Sequence, residues 1–512
     1  MRRALLCCAL LSLAVVGCSS SSGTQPYSRP HASYAPAATY APYPGATFAP
    51  AASPAAYPPV VFPSLGTNPY IDTTEDHLST FGLDVDTASY TVARNYIAQG
   101  MRPNSDSVRP EEWVNYFAQG YTAPETGAFA IHTDGGPTPF LSQNEVLLRV
   151  GVKARDAYSG KRPSAALTFV IDVSGSMAGE GRLELVKQSL ALLADQLRSD
   201  DRLAIVAFST NARTVLEPTM GSDRDAILGA LSRLQPESST NTEAGLRLGY
   251  ELERRQFIQG GINRVILATD GVANEGNTDP NVILDEVGAG TSSKIQMVAV
   301  GVGTGNYNDA LLEQLADKGQ GYYAFVDNMD EARRIFVDRL MTTLDTVALD
   351  AKAQIDFDPQ VVAGYRLIGY EDRGVPDQSF RSSSTTGGAI GAGHEVTALY
   401  ALSLRPGWDG PGNARIATVT LRWTDPTSQR ATELAQDFYR TDLARSFGAT
   451  DAHFKLDSLV AATAEVLRNS PWIPGYGIHD LKVAASELKP VLPQTAEARD
   501  FVTMIDQIQS WG

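Results

Sequence analysis

The sequence predicts an α/β fold: a doubly wound, mostly parallel sheet with helices on both faces, inserted between strands of a β-sandwich-like unit and followed by a small helical region. Three observations predict it. Between Ala165 and about Leu344, short continuous apolar runs alternate with segments whose apolar residues recur at helical spacing, as in a parallel sheet covered on both sides. Before Lys153 and after Val347, apolar residues instead alternate with other residues, as in half-buried antiparallel strands. From about residue 446 the helical period returns.

The first 17 residues read as an export signal. Arg2 and Arg3 form a short basic start, and Ala4 to Val16 is an apolar run broken only by Ser12. A bilayer span needs roughly 20 apolar residues, so this run is too short for one. It ends in Val15-Val16-Gly17-Cys18, which resembles the bacterial lipobox, where cleavage precedes a cysteine that then carries lipid. An ordinary signal peptide with an incidental cysteine is the plainer alternative. The three cysteines are Cys7, Cys8 and Cys18, so a mature chain starting at Cys18 keeps one thiol and no internal disulfide. Acylation there anchors the chain, each buried CH₂ contributing about 0.8 kcal/mol. By resemblance to lipoprotein sorting, Ser19 in place of an aspartate implies the outer membrane of the cell envelope.

Residues 18–66 read as a tether. A serine run gives way to units such as Tyr34-Ala35-Pro36 and Phe48-Ala49-Pro50, with Arg29 as the only fixed charge. Such a segment lacks the apolar periodicity to form a core, and its prolines favour extended chain. At about 3.1 Å per residue its reach is on the order of 150 Å.

Residues 67–125 form an N-terminal helical segment. Leu83-Asp84-Val85 reads as a short strand and Asp86 as the cap of a helix from Thr87 to Gln99, whose apolar face holds Val92, Ala93, Tyr96 and Ile97. A second helix spans Glu111 to Phe117, after Pro110. Strand end plus cap accounts for Asp84 and Asp86 better than a metal site does. Residues 126–160 carry strands, with Val146, Leu148 and Val150 alternating. In the α/β unit, residues 163–345, the strands are Ala166–Ile171, Leu203–Phe208, Val265–Ala268 and Gln296–Val300, and Leu183, Val186, Leu190, Leu193, Ala194 and Leu197 stripe the first helix. Residues 346–445 are sandwich-like, through Val396 to Leu404 and Ala417 to Trp423. Strands on either side of the α/β unit are expected to share one sheet system. Residues 446–512 are helical, striped by Leu456, Leu459, Val460, Ala464 and Leu467, and again by Ala498, Phe501, Val502, Ile505 and Ile508.

Three junctions concentrate oxygen-bearing side chains. The strand Ala166–Ile171 runs into Asp172-Val173-Ser174-Gly175-Ser176; Ser239-Thr240-Asn241-Thr242-Glu243 opens a helix; Thr269-Asp270-Gly271 ends a strand. Loops at the carboxyl ends of parallel strands are where α/β sheets place ligands, so one rim can gather all three.

Asp-x-Ser-x-Ser, a downstream threonine and Thr-Asp-Gly together resemble the metal-ion-dependent adhesion site of von Willebrand factor type A domains. The resemblance implies a Rossmann-like fold, with Ser174, Ser176 and Thr240 as direct ligands and Asp172 and Asp270 acting through water. Thr242 is the alternative to Thr240. Hydroxyl, carboxylate and water oxygens suit a hard cation, with Mg²⁺ the natural candidate and Mn²⁺ or Ca²⁺ alternatives. A neutral first shell leaves the ion with an affinity for an anionic oxygen, so the expected partner is a protein supplying an acidic side chain. The flanking segments Leu78-Ser79-Thr80-Phe81, Asp84-Val85-Asp86-Thr87-Ala88-Ser89-Tyr90, Glu111-Glu112-Trp113-Val114-Asn115-Tyr116-Phe117 and Ser470-Pro471-Trp472 are similar to a family of bacterial envelope lipoproteins with a central type A domain. The loop Val272-Ala273-Asn274-Glu275-Gly276 departs from that family's usual sequence, so partner identity does not carry over.

Other functions find little support. A net charge of −16, or −18 once Arg2 and Arg3 leave with the leader, argues against nucleic acid. There is no Gly-x-x-x-x-Gly-Lys-Ser/Thr loop for a nucleotide and no His/Cys cluster for zinc. Histidines 31, 77, 132, 394, 453 and 479 all lie outside the α/β unit, leaving its serines without a base, so no enzyme is expected. The competing reading is a metal-independent envelope scaffold that binds through its β and C-terminal regions.

Overall fold

The buried apolar runs do become a central sheet in the structure, a computed structural model that describes residues 62–157, 162–271, 280–292, 294–303, 309–339, 345–382, 387–407, 414–473 and 475–509. The leader, Cys18, the tether up to residue 61 and the loop 272–276 lie outside the described residues. The sheet order is Tyr323–Val326, Gln296–Val302, Ile262–Thr269, Ala165–Asp172, Arg202–Phe208, Ala212–Met220, with only the last strand antiparallel to its neighbour. Alternate residues of the central strand serve opposite faces. Leu167, Phe169 and Ile171 join a cluster with Leu183, Val186, Leu190 and Leu193, whereas Val170 joins Leu246, Tyr250, Leu312 and Leu315. Two of these strands were not expected from sequence. Ala212–Met220 is an edge strand with Arg213, Glu217 and Pro218 less buried than a core strand, and Tyr323–Val326 has four residues, so neither carries a long apolar run.

The flanks build a two-sheet sandwich. One antiparallel sheet runs Ile71–Asp72, Val362–Ile368, Glu395–Leu404, Glu145–Ala154, Phe129–Gly136. The other runs Gly388–Gly391, Thr346–Phe357, Arg415–Thr424, Ala431–Tyr439, and Leu78–Gly82 also pairs with Thr346–Phe357. Aromatic rings fill the space between them: Phe357 lies 4.5 Å from Tyr365 and 5.3 Å from Tyr400, and Phe129 lies 5.0 Å from Trp423. Because Leu148 pairs with Tyr400 and Phe81 with Ala353, both sheets contain strands from before and after the α/β unit. The α/β unit is an insertion in the sandwich.

The N-terminal segment differs from expectation in detail. The strand is Leu78–Gly82, not Leu83–Val85, and the helix Ala88–Ala98 follows Thr87 with no side-chain cap. Asp86 is used elsewhere: its Oδ1 accepts from Tyr323 N at 2.7 Å and its Oδ2 from Arg373 Nη2 at 3.3 Å. Burial and the neighbouring Asp84 push the Asp86 carboxyl well up, and the arginine brought by another element offsets part of that cost. The second helix is Pro110–Tyr116, with proline in its first turn. Phe62, assigned above to the tether, is buried in the same cluster as Ala88 and Val92; an aromatic ring can bury a large apolar area even in a segment of low-complexity composition.

The C-terminal helices Ala452–Leu467, Ile478–Leu488 and Ala496–Gln507 do not form a separate unit. Phe454, Leu459, Phe501 and Ile505 share one buried cluster with Tyr90, Trp113 and Phe117 of the N-terminal helices and with Leu147 and Leu399 of the sandwich. Among the described residues no helix is long and apolar enough to cross a membrane.

Candidate metal centre

Asp172 ends the strand Ala165–Asp172, and Asp270 follows the neighbouring strand Ile262–Thr269. These strands are parallel with Ile171 opposite Ala268, so both carboxylates emerge on one rim. Asp172 is fully buried and held at both oxygens: Ser174 N donates to Oδ1 at 2.8 Å and Thr269 Oγ1 to Oδ2 at 2.6 Å. Ser174 then begins a tight turn, the 3₁₀ segment Gly175–Gly181, which leads into the helix Arg182–Ala194.

That turn brings the serines together. Ser174 Oγ and Ser176 Oγ are 3.0 Å apart, and Ser176 Oγ donates to Asp270 Oδ1 at 2.9 Å. Asp172, Ser174, Ser176 and Asp270 therefore form a continuous run of polar contacts. The residue between the serines is glycine because Cβ there would sit 3.3 Å from the carbonyl oxygens of Glu237 and Ser238. Those carbonyls belong to the loop that carries Thr240. Gly175 N donates to Ser238 O at 2.9 Å, Glu237 N to Val173 O at 2.5 Å, and Asn241 N to Ser209 O at 2.7 Å, fastening the loop to the rim. Asn241 Oδ1 caps the helix Thr242–Gln256 by accepting from Ala244 N at 3.0 Å. Thr240 thus lies in the loop before the cap and Thr242 opens the helix; both are buried.

Burial and the neighbouring Asp270 push the Asp172 carboxyl up to about 7, against the opposing effect of its hydrogen bonds from Thr269 and Ser174. A buried carboxyl raised by a second carboxylate is a place where a cation lowers the energy. The chemistry of the donors, hydroxyls with two carboxylates, fits a hard divalent ion. Among the described residues no group of three or more His, Cys, Asp or Glu is placed to hold a metal ion.

Two residues of the site carried no signal that singled them out in the sequence. Thr269 orients Asp172, and Arg182 Nη1 reaches Asp270 Oδ2 at 2.9 Å. Thr269 stands inside a motif whose aspartate draws attention first; Arg182 reads as an ordinary helix start.

Three family models match successive parts of the chain: von Willebrand factor over residues 60–148, von Willebrand factor type A domain over residues 166–337, and Uncharacterized protein YfbK, C-terminal, over residues 342–511. Uncharacterized protein YfbK of Escherichia coli (strain K12) is 35% identical over 462 residues, which cover 86% of this chain and 79% of that protein. The chain belongs to the YfbK family. Beyond YfbK, Uncharacterized protein sll0103 of Synechocystis sp. is 32% identical over 227 residues, 44% of this chain and 51% of its own. A solved von Willebrand factor type A structure from Catenulispora acidiphila is 17% identical, covers 76% of this chain and 91% of its own, and superposes with a TM-score of 0.45. All five rim residues of this YfbK-family chain fall inside the type A match. The type A domain implies a protein-interaction or adhesion module.

Proposed function

We propose that this chain is a lipid-anchored protein of the cell envelope, in the outer membrane, whose type A domain captures a protein partner through a divalent ion held by Asp172, Ser174, Ser176, Thr240 and Asp270. The observation that carries this reading is the contact run from Asp172 through Ser174 and Ser176 to Asp270, closed on one side by the Thr240 loop. Bound there, Mg²⁺ would supply a positive centre for an acidic side chain of the partner. The chain's own residues do the rest: Asp172 and Asp270 supply the negative charge, Ser174, Ser176 and Thr240 supply neutral oxygens, and Thr269 fixes the orientation of Asp172. No step of bond making or breaking enters this reading. The anchor rests on the Val15-Val16-Gly17-Cys18 sequence.

Envelope extracts passed over the immobilised full chain test the reading. Recovery of a partner is expected with Mg²⁺ and lost with chelator, and lost again for Ser174→Ala that remains folded. Equal recovery in every arm favours a metal-independent scaffold instead. Palmitate labelling that is lost in Cys18→Ser tests the anchor.

A further inference from the structure

A positive charge already stands on the rim. Arg182 Nη1 lies 2.9 Å from Asp270 Oδ2 and 3.5 Å from the Ser176 carbonyl oxygen, while Ser176 Oγ holds Asp270 Oδ1. Both oxygens of Asp270 are therefore engaged by protein groups. The contact is sheltered, with the Arg182 side chain 12% and the Asp270 side chain 7% exposed, so water screens it weakly. Local backbone delivers the arginine. Gly181, at a φ of +69°, ends the 3₁₀ segment in the left-handed region and aims Arg182 back across the rim. Opposite, Gly303 follows the strand Gln296–Val302 at a φ of +83°, and Cβ there would sit 2.2 Å from Arg182 Nε and 2.4 Å from its Cδ. The backbone is bare where the arginine stem crosses it.

Charge balance gives this arrangement a consequence. The Arg182 guanidinium offsets the charge of the Asp270 carboxylate with which it pairs. A divalent ion added without any rearrangement would bring two like-charged cations onto one carboxylate in a poorly screened site, where repulsion is strong. We infer that Arg182 is a tethered competitor for the divalent ion: it neutralises Asp270 in the ion-free protein and gives up that carboxylate when the ion binds. It thereby sets the ion concentration at which the partner-binding form is populated, since occupancy depends on the difference between the two states. This inference rests on the metal-dependent reading proposed above.

Calorimetry of Mg²⁺ binding to the full chain in detergent, compared with Arg182→Gln, Arg182→Met and Arg182→Lys, tests it. The two neutral variants should bind Mg²⁺ about tenfold more tightly than wild type, the size expected for removing one nearby charge. Arg182→Lys, which keeps the charge, should stay within about threefold of wild type. In chelator the neutral variants should melt below wild type, and saturating Mg²⁺ should close that gap; a purely structural ion pair would leave the gap open. Unchanged affinity in both neutral variants overturns the competitor role, and weaker affinity shows that Arg182 positions Asp270 for the ion, which also overturns it. No uptake by any of the four proteins defeats the metal-dependent reading itself.

Discussion

Thr269 Oγ1 donates to Asp172 Oδ2 at 2.6 Å and accepts from Gly271 N at 2.9 Å, so one hydroxyl ties the ends of two adjacent parallel strands together. Replacing it with the near-isosteric Thr269→Val removes the donor and leaves a buried carboxylate oxygen short of a partner. The expected cost is about 1–3 kcal/mol of stability and about tenfold in Mg²⁺ affinity, since outer-shell partners typically contribute that much. Denaturant unfolding and calorimetry check the two effects separately. Undiminished Mg²⁺ affinity would show that Asp172 needs no orienting group.

Gly175 sits where the serine turn touches the Thr240 loop. A Cβ at 3.3 Å from two carbonyl oxygens forces the loop outward by a few tenths of an ångström. Gly175→Ala should therefore weaken Mg²⁺ uptake by about tenfold while the protein stays folded, because closed-packed neighbours tolerate little displacement. Full retention of uptake would mean that the Thr240 loop contributes nothing to the ion.

Glu253 gives a pH prediction independent of the rim. It is fully buried, accepts from Thr168 Oγ1 at 2.7 Å and from Gln256 Nε2 at 2.8 Å, and burial pushes its carboxyl up to about 7. A folded-state value above the unfolded one means that the native state holds the proton longer. Stability from this group is then present at low pH and lost as pH rises from about 4.5 to about 7, by up to about 3 kcal/mol. Glu253→Gln, which is neutral at every pH, should flatten that fall and match or exceed wild type at pH 8. Unfolding curves measured from pH 5 to pH 8 check it; parallel profiles would show that Glu253 does not titrate there.

Arg373 joins the sandwich side to the α/β insertion. Its guanidinium lies 3.3 Å from Asp86, 3.2 Å from Glu313 and 3.5 Å from Asp84, all well buried. Arg373→Met would take that shared cation away, leaving Glu313 only Arg109 at 3.8 Å, a loss of roughly 3–5 kcal/mol for a broken buried pair. A drop below 1 kcal/mol in chemical denaturation would show that the acids neutralise themselves by protonation.

Much of this architecture was legible because its signals are local. The run Ala166–Ile171 is continuous and apolar, so its burial on both faces could be read directly, and Asp172, Ser174, Ser176 and Asp270 stand at strand ends where topology gathers them. What could not be read is long-range. Asp86 looks like a helix cap until Tyr323 and Arg373 arrive from more than 200 positions away. The C-terminal stripe of Leu456 and Leu459 predicts a packing face, but nothing local says that Trp113 lies beneath it. Arg182 shows the same limit at shorter range, since only the fold sets its guanidinium against Asp270. The edge strand Ala212–Met220 has a partly solvated composition that its pairing with Arg202–Phe208 overrides.

The interleaving of both flanks has a consequence for biogenesis. Strands at 78–82 and 145–154 find their partners at 346–357 and 395–404, and the cover of the helix Pro110–Tyr116 is completed only when residues near 454–505 arrive. As the chain is made from its N-terminus, the inserted unit can close early, while the surrounding body holds bare aromatic surface until almost the last residue emerges. Contacts of such sequence separation form slowly, so the interval between the two events is when this molecule is most in need of a chaperone.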